Sequence, residues 1–237
     1  MSYRAYTLIS YLIVIVSLSF SYPTYSKNEI ISKHDYKLYK SNIHFASTTY
    51  ILSKSESDFT FQIISRTDGI FKLKKDDRKE TSVFKKHGDK VDPVSYIFSR
   101  KKRDKEDVIK TFFNLNENYA YSLTNGKKTE HMDLEYSLDR LSVQIDYQNS
   151  MRNGVFEKAY NIIDKGRLRK YIYTIYSNEV IDSILGKVNA IVIKRSIENN
   201  KRSTLTWYAI DYDFIPIKIE QYRKNSVQFT VILDRIK

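Results

Sequence analysis

The sequence predicts a mainly β domain, an antiparallel meander curved around one amphipathic helix. Three observations carry that prediction. Segments with apolar and polar residues in alternation recur along the chain, separated by short turns at a spacing of roughly 8–12 residues. The chain has 20 tyrosines and 12 phenylalanines against 6 glycines and 3 prolines. Aromatic residues pack well on a pleated surface. Only one stretch, Ser137 to Arg152, repeats with a helical period.

The strands follow in order. Tyr36 to Tyr39, Ile43 to Ser53, Phe59 to Arg66, Glu80 to Lys86, Val94 to Arg100, Val108 to Asn114 and Tyr119 to Leu123 each read as strands. Gly69 to Leu73 is a crossover loop or a short helical turn, and Asn125-Gly126 is a hairpin signal. In the second half, Lys170 to Tyr176, Val188 to Arg195, Leu205 to Ile210, Ile215 to Glu220 and Val227 to Asp234 are strands. Their turns are Lys165-Gly166, Leu185-Gly186, Glu198 to Asn200, Asp211 to Asp213 and Lys224 to Ser226.

Ser137 to Arg152 places Leu141, Ile145 and Gln148 on one helical stripe and Val143, Tyr147 and Met151 on the next. Ser137 or Asp139 can cap its start, and Asn153-Gly154 stops it. A single helix between two runs of strands must bury its apolar face on the sheet. The sheet then curves around it and presents a concave, apolar inner surface.

The first residues read as a cleavable signal peptide, 1–26. Arg4 opens it, an apolar run from Leu8 to Phe20 follows, and Thr24 and Ser26 are the small residues before a cut between Ser26 and Lys27. That run is short for a membrane span, which needs about 20 residues. The remainder, 27–237, is ample for one β-rich domain. With no cysteine, lipid attachment at an N-terminal cysteine and disulfide staples are both excluded, so core burial must hold the fold. The expected compartment is the periplasm.

Lysine and arginine number 40 and acids 28, a net charge of +12. Such a surface attracts anionic partners, and export makes nucleic acid the poorest candidate. The densest basic run, Arg100, Lys101, Lys102 and Arg103, reads either as a docking patch for an anionic membrane surface or, more plainly, as a solvated hairpin tip. Signatures of catalysis are lacking: there is no Gly-x-Ser-x-Gly elbow, no His-Glu-x-x-His and no glycine-rich phosphate loop. His131, Asp133 and Glu135 alternate and could in principle hold a metal, but a solvated strand end is the plainer reading. No cofactor, metal or catalytic residue is expected. Trp207 falls on the apolar face of its strand as core or cavity wall.

One ordered set of motifs suggests a family. Asp139-Arg140-Leu141-Ser142 is followed by Tyr171, Glu179, Leu185-Gly186, Arg202, Trp207-Tyr208-Ala209, Asp211, Phe214-Ile215-Pro216-Ile217 and Ile219-Glu220-Gln221. This set resembles the exported proteobacterial family of domain of unknown function 3108. The resemblance implies a fold like the lipoprotein carriers LolA and LolB: a strongly curved antiparallel sheet, an unclosed barrel, with its central helix on the concave face. It implies structural roles for Asp139 as helix cap, Gly186 in its turn, Pro216 at a strand start, and Glu220 beside a basic neighbour such as Arg202. The expected function is non-enzymatic: binding of a lipophilic ligand or a lipid-modified protein in envelope maintenance. Trp207, Leu141, Ile145, Ile217 and Phe229 are the candidate ligand contacts. The alternatives are a protein scaffold or chaperone with a filled core and, more remotely, a hydrolase.

Overall fold

The computed structural model describes residues 28–74 and 76–237; the expected signal segment, with the expected cut between Ser26 and Lys27, lies outside the described residues. Fifteen strands form one unclosed sheet. They are β1 (Glu29–Lys40), β2 (Ile43–Lys54), β3 (Phe59–Thr67), β4 (Asp76–His87), β5 (Lys90–Lys102), β6 (Lys105–Asn114), β7 (Tyr119–Thr124), β8 (Lys127–His131), β9 (Ser137–Asp139), β10 (Lys158–Asp164), β11 (Arg167–Ser183), β12 (Gly186–Ile197), β13 (Arg202–Ala209), β14 (Ile215–Arg223) and β15 (Ser226–Ile236). Among the described residues one α-helix, α1 (Ser142–Arg152), lies between β9 and β10.

The order across the sheet is β8 to β1 in sequence, then β15 back to β9. Two meanders are therefore joined where β1 meets β15, with Tyr36 opposite Leu233 and Leu38 opposite Val231. Every neighbouring pair is antiparallel except β9 and β10, which are parallel. Alternation sets which side chains face inward. In β5, Tyr96 and Phe98 are buried, while Ile97 between them is exposed.

Aromatic side chains pack around α1 on the concave side. Tyr147 of α1 stacks on Tyr173 of β11 with ring centroids 4.1 Å apart, and meets Tyr160 and Tyr208 edge-on. Tyr36, Tyr50 and Phe61 continue the aromatic packing across β1, β2 and β3. Burial pushes the Tyr208 phenol up to about 12. Trp207 belongs to a second core with Val188, Val192, Leu205 and Ile217. Its indole N–H donates to Glu179, and Lys218 Nζ lies 4.1 Å from its ring centroid.

The helix differs from the sequence expectation in two ways. It starts at Ser142 rather than Ser137, because Ser137–Asp139 pairs with Asn161–Ile163 as strand β9. It is also buried on its polar side: Asp146, Asn149 and Ser150 are buried beside Val143, Tyr147 and Met151. Asp139 does secure the start, since its Oδ1 accepts from the N–H groups of Leu141 and Ser142 at 2.8 and 3.0 Å. Ser82 donates to the other oxygen of this buried carboxylate. Burial raises the Asp139 pKa, against these hydrogen bonds.

Antiparallel pairing places successive turns at alternate ends of the barrel. At one end stand 41–42, 103–104, 125–126, 165–166, 198–201 and 224–225. This end exposes Lys101, Lys102, Arg103, Lys105, Lys127, Lys128, Arg167, Lys201, Arg202, Arg223 and Lys224, with Asp104, Glu106 and Glu198 among them. The opposite end exposes Glu29, Glu56, Asp89, Glu117, Asp133, Glu135, Glu157, Asp182, Asp211 and Asp213, with Lys54, Lys85, Lys90, Arg152, Lys187, Arg235 and Lys237 among them. The net charge is thus sorted along the barrel axis.

Candidate functional site

Where the two meanders approach each other, at the basic end, they leave a cleft of about 510 Å³. One wall is Ile109 of β6, Thr124 of β7, and Lys127 and Thr129 of β8. The facing wall is the β10–β11 turn, with Arg169 and Tyr171 of β11, Arg195 and Ile197 of β12, Arg202 of β13 and Gln221 of β14. Arg140, at the junction of β9 and α1, completes the lining. Side-chain packing holds the walls together: Ile163 of β10 sits in a small core with Ala120 of β7 and Leu134. Gly166 sits in the same seam at φ +74°, and a Cβ there would come within 3.1 Å of Thr124 Oγ1.

Seven basic side chains line the cleft, Lys127, Arg140, Lys165, Arg167, Arg169, Arg195 and Arg202, against one acid, Asp164. Four are held in place. Arg140 Nε and Arg169 Nε lie 3.3 and 3.4 Å from the two oxygens of Asp164. Arg195 stacks 4.6 Å from the Tyr171 ring centroid and donates to Thr204. Lys165 Nζ lies 3.6 Å from the Phe98 ring centroid. The Nε groups of Arg140, Arg169 and Arg195 are buried without a hydrogen-bond partner. Burial, and after it the charge of Arg140, pushes the Lys165 amine down to about 8. Cations crowded in this way repel one another, and an anion would relieve them. Guanidinium forks suit an oxyanion in particular.

The residues expected to contact a ligand are placed elsewhere. Leu141 and Ile145 are buried in the core around α1. Trp207 and Ile217 are buried in the second core, with Phe229 packed on its margin. Arg100 is engaged by Asp76 through two hydrogen bonds of 2.8 and 2.6 Å. Lys101, Lys102 and Arg103 stand exposed at the tip of the β5–β6 hairpin. Glu220 pairs with Lys218 at 2.8 Å and accepts from Tyr222, rather than meeting Arg202. His131 ends β8, its Nε2 3.1 Å from Ser122 Oγ, so Asp133 and Glu135 fall beyond that strand. Of the cleft residues, Arg167, Arg169 and Tyr171 carried a signal: at a spacing of two they share a strand face just after a turn.

Two solved structures align with the chain, and the first resembles its fold. A β-barrel-like protein of domain of unknown function DUF1849 from Brucella abortus aligns with a TM-score of 0.56 and 10% identity, over 87% of this chain and 95% of that one. A protein with YmcC-like fold from Bacteroides fragilis NCTC 9343 aligns at a TM-score of 0.36 and 11% identity, over the same shares. No curated protein matches the sequence. The family model described as protein of unknown function DUF3108 matches residues 35–232, so the chain belongs to that family.

Proposed function

We propose that this is an exported protein that acts by binding rather than by chemistry, and that the seam cleft holds an anionic ligand. The observation that carries this reading is the set of seven basic side chains lining the cleft against one lining carboxylate, with Glu80 behind Arg140 as a second, four of the seven being fixed by their own partners. Leu141 and Ile145, beside α1, are packed into the core rather than open to an acyl chain. A lipid or lipid-modified partner would instead be met through its charged head. Polar residues elsewhere have structural work: Asp139 caps α1, and Asp146 accepts from Tyr160 and Lys158. Export rests on the signal-like segment before Lys27.

Native mass spectrometry of the protein purified from cell envelopes tests the reading. The expected result is an added mass that high salt displaces and that Arg195→Gln with Arg202→Gln abolishes. A bare polypeptide mass at low salt, from protein that also fails to retain added inorganic pyrophosphate, would overturn it. A scaffold role is the second reading, favoured by Ile175, Tyr176 and Val180, which are exposed on β11. Crosslinking in cells through a photoreactive residue at Val180 would find its partner, and a lone monomer would reject it.

A further inference from the structure

The cleft opens at the end of the barrel where exposed cations clearly outnumber exposed acids, whereas at the other end the acids are slightly in excess. We propose that the basic end is a docking surface for a bilayer containing anionic phospholipid, and that docking turns the mouth of the cleft toward that bilayer. Screening limits such attraction to groups within about 8 Å of the surface, so only cations presented together on one side contribute. The turn geometry meets that condition. Lys102, Lys128, Lys201 and Lys224 come from four separate hairpins and share one end. Exposed apolar residues do not distinguish the ends: Ile43 and Val227 stand at one, Met132 and Ile184 at the other. Charge alone gives the molecule its direction. Lys127, Arg167 and Arg202 belong both to this end and to the cleft lining, which ties docking to the site. The proposal goes beyond the ligand reading and can fail separately from it.

Because the chain has no cysteine, one introduced thiol takes a polarity-sensitive dye at one place only. The label is placed at Lys102→Cys on the basic end or at Glu56→Cys on the other. Each protein is mixed with phosphatidylcholine vesicles, with and without phosphatidylglycerol. The expected result is a blue shift at position 102 alone, only with phosphatidylglycerol, and reversed by salt. No shift, equal shifts at both positions, or a shift with phosphatidylcholine alone would overturn the proposal. Lys101→Gln, Lys102→Gln and Arg103→Gln together should weaken vesicle binding by about a hundredfold, while Glu56→Gln leaves it unchanged. Equal loss in both proteins would also reject the orientation. If the triple variant loses vesicles but keeps the ligand mass, docking and ligand binding are separate; if no ligand mass exists, the vesicle result stands alone.

Discussion

Two polar clusters pack around α1, and they are built on opposite rules. In the first, Asp146 faces Tyr160 at 2.7 Å, Lys158 at 3.0 Å and Tyr136 at 3.0 Å, one carboxylate among donors that all find it. In the second, Asp164 stands among seven cations, and three buried guanidinium Nε groups make no aligned hydrogen bond, although those of Arg140 and Arg169 lie beside Asp164. The first cluster is closed and serves the fold. The second leaves binding capacity unused. Satisfied polar networks rigidify a core, and partly satisfied ones cost stability unless something else completes them. Removing a member should therefore have opposite signs in the two places.

The largest effect is expected at the closed cluster. Asp146→Ala removes the carboxylate from Lys158 and Tyr160, which keep only Ser150 Oγ, while Tyr136 keeps the Val91 carbonyl, and should cost about 3 kcal/mol by urea unfolding. Asp139→Ala removes the helix cap and the partner of Ser82, at about 2 kcal/mol, and Asp139→Asn should recover more than half. Gly166→Ala tests the seam itself. Its positive φ and the nearness of Thr124 predict a loss of about 1 kcal/mol. At the open cluster the sign reverses. Arg167→Gln should raise stability by a few tenths of a kcal/mol at low salt, a gain that disappears at high salt. A loss there would erase the contrast between the clusters.

The last effect lies in pH. Lys165 has a folded pKa near 8 against an ordinary 10.5, so between those values the unfolded chain holds the extra proton. Stability from this group therefore rises with pH across that window. The difference in unfolding free energy between the wild type and Lys165→Met should grow from pH 8 upward. A flat difference would show that the amine is freely solvated.

Strands were legible because alternation is local. In β15, Phe229, Val231 and Leu233 mark the inward face without any knowledge of neighbours. The same periodicity says which way a side chain points but not which strand lies beside it. Hence the β1–β15 joint and the parallel β9–β10 pair had no local signature. The helical stripe was read back to Ser137 because nothing nearby reveals that residues 137–139 pair with β10. The basic run at 100–103 was conspicuous because it is contiguous. The cleft was not, since its cations come from Lys127, Arg140, the 165–169 segment, Arg195 and Arg202, and only the closing of the sheet brings them together.

The joint between β1 and β15 also governs how the chain can reach its native state. Each meander forms from neighbouring hairpins, which close quickly, but the joint must wait for residues at the far end of the sequence. Loop length adds little to the equilibrium cost, so the delay bears on rate more than on final stability. A chain emerging N-terminus first carries β1 as an open edge until β15 arrives, the situation in which strands pair with the wrong molecule. Lys33, Lys37 and Lys40 are spaced along that edge. Their like charges oppose the approach of a second copy of β1, so the strand that waits longest is protected while it waits.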